Sequence, residues 1–456
     1  MRSDPVDAGA RADRPLRKVL TTRLLYFFIL GDVLGAGVYV LIGEVAAKSG
    51  GAVWVPLTVA LLLALLTAAS YAELATKYPR AGGASYYATR AYGPAVGFFT
   101  GFCMLAAGLV SVAALARGFA GDYLSALVSL PVVLVAVVFL VLLGLLNARG
   151  IRESTRVNTL ATLVETSGLL LVVGLGVWIV VRGDGDVGRL TRLGTDSSSP
   201  AAAVLGGAVL AYYSFVGFET SVNVAEETLD PRRSYPRALF GALATAGAVY
   251  AAVGAAASAA VPTATLAASD GPLLEVVRAA GAVPPRLFAF IALVAVANGA
   301  LLTGIMSSRL AYGMAREGLL PGFLTRVLPA RRTPWAAIAA TTAVSALLAA
   351  TGEIDVLAGT LVLLLLAVFL IVNTAVLVLR RDRSASANAH FRAPAAVPVL
   401  GALSCLILAT QVEGEVWARG GILMAVGAAL AVLVLWLRRR ESAVDGAPRP
   451  GGDRRS

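Results

Sequence analysis

Twelve apolar stretches, each about as long as a bilayer's hydrocarbon core is thick, occupy nearly the whole of this chain. They lie at 24–46, 53–76, 95–116, 131–147, 157–181, 202–224, 237–261, 286–313, 334–351, 355–379, 395–412 and 419–437. At 1.5 Å per residue, about twenty residues cross about 30 Å of hydrocarbon. Backbone N–H and C=O groups in lipid must bond to one another, so runs of this length read as helices. The fold class is therefore all-α integral membrane. Of the 456 residues, 58% are hydrophobic and 14% charged, against about one quarter charged in soluble domains. Residues 24–437 form one membrane domain, flanked by polar tails at 1–23 and 438–456. The first tail is arginine-rich and lacks an apolar core with a cleavage site, so the first span is expected to act as its own insertion signal. Cys103 and Cys405 both fall inside apolar spans and read as small hydrophobes, not as a disulfide pair.

The net charge of +11 raises the question of a nucleic-acid partner. Placement answers it. With a cytoplasmic N-terminus and strict alternation, 30 of the 38 Lys and Arg fall on the cytoplasmic side. That is the positive-inside pattern, so basicity reports topology and lipid contact and not nucleic acid. It predicts a multi-pass protein of the cell membrane with both termini in the cytoplasm.

Two spans are abnormal. The first, "LLYFFILGDVLGAGVYVLIGE" (24–44), carries Asp32 among glycines, and the sixth, "AVLGGAVLAYYSFVGFETSVNVAEE" (203–227), is interrupted by Ser214, Gly217 and Glu219. Gly31 and Gly35 alone could be packing spacers, a small-xxx-small pair. A second interrupted span five helices later is not expected from packing. Paired Gly-interrupted spans mark transporters built from inverted repeats, and an odd offset of five makes equivalent helices antiparallel. The sequence thus predicts spans 1–5 and 6–10 as inverted halves with broken helices 1 and 6, plus spans 11 and 12.

A broken helix inside a membrane exposes backbone groups that must face a cavity or a ligand. Beyond a break at Gly35-Ala36-Gly37, a new half-helix would aim N–H groups at a carboxylate. Ahead of it, carbonyls such as those of Gly31, Val33 and Leu34 could accept from an ammonium or hold a cation. An α-amino acid offers both ends. Asp32, Glu165 and Glu219 each lie roughly 10–12 Å inside the same face, so they can share one polar cavity and act in ion or proton coupling. The structural alternative is that each is satisfied by broken-helix N–H groups or by an arginine such as Arg309.

Four stretches, "GDVLGAGVYVLIGEVAAKSGG" (31–51), "SYAELATKYPRAGGASYY" (70–87), "YSFVGFETSVNVAEETLDPRRSYPRAL" (213–239) and "SSRLAYGMAREGLLP" (307–321), resemble the amino acid/polyamine/organocation (APC) permeases, in that family's order and over residues 24 to about 440. The resemblance implies an amino acid permease working by alternating access. Carried over, it places the substrate carboxylate at the N–H groups of Ala36 and Gly37, next to Gly35. The substrate's amine would meet carbonyls of Val33, Tyr213 and Val216, beside Gly217. Tyr213 would be a gating aromatic over the substrate. Two positions depart from the family. Asp32 stands where relatives commonly have a small or amide residue, and Glu165 where some proton-coupled relatives have a lysine. Glu165 could carry the proton, help Leu34 C=O and Thr303 hold Na⁺, or pair with a cationic substrate. In the loop "EETLDPRR", Glu226 and Glu227 could latch an inner gate or be solvated surface charge.

No G-x-S-x-G, no H-E-x-x-H and no His/Cys cluster is present, and the one histidine, His390, lies in a basic loop. The expected function is therefore not an enzyme's, and no cofactor or metal is implied. The readings that stay open beside an amino acid permease are a polyamine or cationic amino acid exchanger, an ion-only cotransporter or channel on the same fold, and a nutrient sensor.

Overall fold

The structure is a computed structural model and describes residues 20–34, 37–79, 83–149, 155–194, 199–316, 319–329, 331, 333–382 and 390–445. The first span is two helices, α1 (Thr22–Val33) and α2 (Gly37–Ser49), bent by 47° at the predicted break. Gly35 and Ala36 lie outside the described residues. Then follow α3 (Trp54–Lys77), a short α4 (Gly83–Tyr92), α5 (Pro94–Gly118) running on into a π turn at Phe119–Tyr123, α6 (Val132–Ala148) and α7 (Thr155–Val181). The second half comprises α8 (Pro200–Tyr213), a 3₁₀ segment (Phe218–Glu227), α9 (Pro231–Ala260), the short α10 (Thr263–Ala267) and α11 (Pro272–Ala280), α12 (Pro285–Arg316), α13 (Trp335–Thr351) and α14 (Ile354–Leu379). The last two spans are α15 (Ala396–Thr410) and α16 (Gly414–Asp445).

Seven helices and the bent pair are long and apolar enough to cross a membrane, and α6, α8, α13 and α15 are shorter apolar helices at the remaining predicted spans. Their outward faces are apolar. Leu134, Leu142 and Val432 are more than half exposed, a state that lipid accommodates and water does not. The inverted-repeat register appears in the packing: α2 lies against α8, α3 against α9, α5 against α12 and α6 against α13, each helix beside its counterpart five spans on.

Small residues let the inner helices approach. α9 is rich in Ala and Gly and is packed on by α1, α3 and α7. A Cβ on Gly247 would stand 2.3 Å from the Leu61 side chain of α3, so glycine there lets the leucine pack close against α9.

We call the face at which α1 begins the near face; α4, the end of α3 and the start of α7 lie there. Its integrity rests on a buried ion pair. Arg380, at the end of α14, donates through Nε and Nη2 to Glu73 of α3 at 2.7 and 2.6 Å, and Nη2 also reaches the Ala393 carbonyl at 2.7 Å. The Ala393 N–H donates to Glu73 at 2.9 Å. At the rim, Arg90 of α4 pairs with Asp382 at 2.8 Å. On the far face, α10 closes over α2: a Cβ on Gly43 would be 2.4 Å from the Leu266 carbonyl oxygen.

Span 6 departs from a plain two-part α-helix. α8 ends at Tyr213, and Gly217 adopts φ +123°, a conformation that side chains disfavour. Beyond it the chain is 3₁₀: the Thr220 N–H donates to the Gly217 carbonyl at 3.0 Å, three residues back, and the Ser221 hydroxyl donates to that of Phe218 at 2.5 Å. Leu229 N–H donates to the Leu20 carbonyl at 3.0 Å, tying the end of this segment to the start of α1.

Candidate substrate and coupling site

The two breaks face one cavity of about 230 Å³. Val33 and Gly37 border it from the first span, Tyr213, Val216 and Gly217 from the sixth, and Thr303 from α12. Asp32, Glu165 and Glu219 all line it. Three carboxylates predicted to share a depth thus meet around one space. The described lining contains no Lys, Arg or His. Toward the near face the cavity reaches Ser85 of α4, Gly101 of α5 and Leu310 of α12.

The three acids have different surroundings. Glu219 is 3% exposed and accepts the Gly217 N–H through Oε2 at 2.9 Å, so it caps the broken helix from within. This is the structural alternative that the sequence left open for it. Asp32 accepts from the Thr220 hydroxyl, which ties the end of helix 1 to the 3₁₀ segment. Gly217 lets the two approach: a Cβ there would stand 2.9 Å from the Asp32 carbonyl oxygen. Glu165 is fully buried, and its Oε1 faces Asn298 Nδ2 of α12 at 3.4 Å. Its Oε2 is buried and has no hydrogen-bond partner among the described residues. A buried charged atom without a partner is costly and rare.

The position of Glu165 follows from neighbouring contacts. A Cβ on Gly31 would lie 2.5 Å from Thr162 Oγ1, so Gly31 is where α1 meets α7. Both helices run from the near face, and Glu165 is three residues beyond Thr162, as Leu34 is beyond Gly31. One turn up, Glu165 therefore stands level with the break in helix 1.

Other predicted residues divide. Leu34 is fully buried, keeps its helical bond to the Leu30 carbonyl at 2.7 Å and does not line the cavity. Arg309 is exposed and makes no described ion pair, so it does not satisfy the acids; α12 turns it away from the cavity. The side chains of Glu226 and Glu227 lie outside the described residues. Cys103 and Cys405 are buried free thiols. The Val33 carbonyl already accepts from the Tyr250 hydroxyl at 2.5 Å, which uses one of its two lone pairs, and the Tyr213 carbonyl accepts the Val216 N–H at 3.0 Å. Tyr213 caps the cavity with its hydroxyl 3.1 Å from Ser111 Oγ of α5.

Sequence reasoning missed Asn298, Ser111, Thr220 and Tyr250. Asn298 was detectable by the rule that flagged the acids, since an amide inside "ALVAVANGALLTG" is equally anomalous in lipid. The hydroxyl residues carry no comparable signal.

A chain with two broken helices around a polar cavity can be compared with known proteins on that basis. Its fold is similar to that of a mutant manganese transporter of Eremococcus coleocola, with a TM-score of 0.58 at 15% identity over 91% of this chain and 95% of that one. By sequence it is 27% identical to a branched-chain amino acid permease of Bacillus subtilis, over 88% of this chain and 89% of the relative. It is 31% identical to an uncharacterised transporter of Mycobacterium tuberculosis, over 88% and 87%. It is 28% identical to a low-affinity putrescine importer of Escherichia coli, over 90% and 92%. The model of the amino acid permease family matches residues 20–435, so the helix breaks, the three cavity acids and both inverted halves all fall within it, and the chain belongs to that family.

Proposed function

We propose that this multi-pass membrane transporter moves an α-amino acid across the cell membrane by alternating access, coupled to a proton carried by Glu165. The observation that carries the reading is the Glu165 carboxylate, fully buried at the level of the helix-1 break, on the cavity wall, with Oε2 unpartnered among the described residues. An atom in that state suits a visiting proton or cation. The substrate carboxylate is assigned to the Gly37 N–H at the start of α2, with Ala36 beside it outside the described residues. The amine is assigned to the carbonyls around Tyr213 and Val216. Thr303 and Leu34 belong to the same reading as neighbours of the coupling site, while Asp32 ties helix 1 to the 3₁₀ segment through Thr220 and Glu219 caps the helix-6 break at Gly217.

The cavity reaches Ser85 toward the near face, whereas Tyr213 and Ser111 close its other side. With the arginine-rich near face in the cytoplasm, this is an inward-facing arrangement. Opening outward would require Tyr213 to leave Ser111.

Purified protein in liposomes is expected to take up α-amino acids under an inward proton gradient. No uptake of any amino acid or polyamine under a proton or a sodium gradient would refute the transporter reading. Glu165→Gln is expected to remove the proton-gradient dependence while substrate binding persists; an unchanged dependence would remove Glu165 from coupling.

A second reading has its own support. Three carboxylates and no basic side chain among the described lining residues suit a cationic amino acid or a polyamine. Relatives named for putrescine and for cationic amino acids accord with it. Competition by all twenty amino acids and putrescine at two pH values separates the two: a cationic carrier loses neutral competitors at both.

A further inference from the structure

One buried tyrosine touches both helix breaks. Tyr250, on α9, is fully buried, and its hydroxyl donates to the Val33 carbonyl at 2.5 Å. Its ring stands edge-on to Phe215, with centroids 5.3 Å apart and planes at 67°. Val33 is the last residue of α1, and Phe215 lies between the end of α8 at Tyr213 and Gly217.

The bond to Val33 has a particular meaning. In a continuous helix the carbonyl of residue 33 accepts the N–H of residue 37, four positions on. Here α2 starts at Gly37, and among the described residues no backbone bond joins Gly37 to Val33. The Tyr250 hydroxyl supplies that carbonyl with a donor instead. A buried carbonyl needs a donor, and a donor from α9 removes the pull that would rewind helix 1. Gly37 lines the cavity and is the first residue of α2, whose N–H has no partner within its own helix. Tyr39 also donates to a backbone carbonyl, that of Glu165, but in the middle of α7 and not at a break.

We infer that Tyr250 is a positioning residue: by bonding the Val33 carbonyl it holds helix 1 open and keeps the Gly37 N–H available to the substrate's carboxylate. The inference rests on the assignment of the substrate carboxylate to that N–H.

The test is Tyr250→Phe, which keeps the ring against Phe215 and removes only the hydroxyl. Uptake is measured in proteoliposomes with the best amino acid found for the unaltered protein, and inhibition by that amino acid is compared with inhibition by its methyl ester, which lacks the carboxylate. The unaltered protein is expected to prefer the acid over the ester. In Tyr250→Phe, KM is expected to rise about tenfold with Vmax within twofold, and the preference for the acid to fall by the same factor. Incorporating 4-aminophenylalanine at position 250 restores a donor and is expected to restore both, whereas 4-fluorophenylalanine is expected to behave as the Phe variant. That pair also serves if Tyr250→Phe fails to accumulate. An unchanged KM and acid preference without the donor would overturn the inference, as would loss of folded protein in every donor-free variant, which marks a purely structural role. Absent uptake by the unaltered protein would sink the transport reading and this inference together, whereas normal uptake with an indifferent Tyr250→Phe sinks the inference alone.

Discussion

Removing Arg380 should damage the protein more than removing Arg380 and Glu73 together. The Glu73 side chain is 1% exposed and that of Arg380 12%, so the pair is buried at the near-face end of α3 and α14. Three donors serve the Glu73 carboxylate: Arg380 Nε at 2.7 Å, Arg380 Nη2 at 2.6 Å and the Ala393 N–H at 2.9 Å. Arg380→Met removes two of them and also the bond to the Ala393 carbonyl at 2.7 Å, leaving a buried charge on one backbone N–H. Orphaning one member of such a pair costs about 3–5 kcal/mol. Glu73→Leu combined with Arg380→Met leaves no buried charge, only the Ala393 N–H and carbonyl short of partners, at about 1–3 kcal/mol for an unsatisfied group. The double variant should therefore be more stable than Arg380→Met by about 2 kcal/mol. Reversible chemical denaturation of the purified protein, followed by tryptophan fluorescence, measures all three variants, and the double-mutant cycle isolates the pair. An Arg380→Met variant as stable as the starting protein, or a double variant whose loss equals the sum of the singles, would refute the reasoning.

Gly217→Ala should cut uptake by an order of magnitude or more in liposomes. At φ +123° an alanine carries strain of about 1–3 kcal/mol, and its Cβ would press to 2.9 Å on the Asp32 carbonyl oxygen, pushing apart the two breaks that frame the cavity. Thr220→Val should raise KM because Asp32 loses its hydroxyl donor, and Thr220→Ser, which keeps the donor, should restore it; uptake kinetics of the pair decide. Tyr213→Phe should weaken the closed side of the cavity by about 0.5–1.5 kcal/mol, the worth of its bond to Ser111, and appear as faster substrate release in a washout assay. Gly247→Val should lower stability by about 1–3 kcal/mol, read as an earlier thermal transition on gel filtration, since the new side chain must displace the Leu61 side chain 2.3 Å from its Cβ.

What the chain discloses about itself depends on whether a residue's role is local or set by a neighbour. The two breaks were legible because glycine and acidic residues inside apolar spans are anomalous wherever they point. The inverted register followed from their spacing alone. The common cavity of Asp32, Glu165 and Glu219 followed from depth, which 1.5 Å per residue supplies without knowledge of the packing. Rotation about a helix axis is not supplied that way. Arg309 is at a suitable depth yet exposed, because the packing of α12 turns it outward. The 3₁₀ character of 218–227, with the Thr220 N–H bonding back three residues to Gly217 and the Ser221 hydroxyl back to Phe218, is a choice of partners that composition does not decide. Tyr250 was the least visible. It sits in the alanine-rich stretch "AGAVYAAVGAAAS" as an ordinary buried aromatic, and its meaning comes from a residue 217 positions earlier that has lost its helical donor. The acids, then, could be found by what they cost in lipid, but the group that holds helix 1 open could be found only by asking where the Val33 carbonyl bonds once Gly37 no longer reaches it. The same question applied to Glu165 Oε2 leads to the opposite answer, because among the described residues no donor reaches it. On the proposed reading, one break is braced from within the fold by Tyr250, while the Glu165 carboxylate beside it is the group that the Glu165→Gln uptake measurement tests.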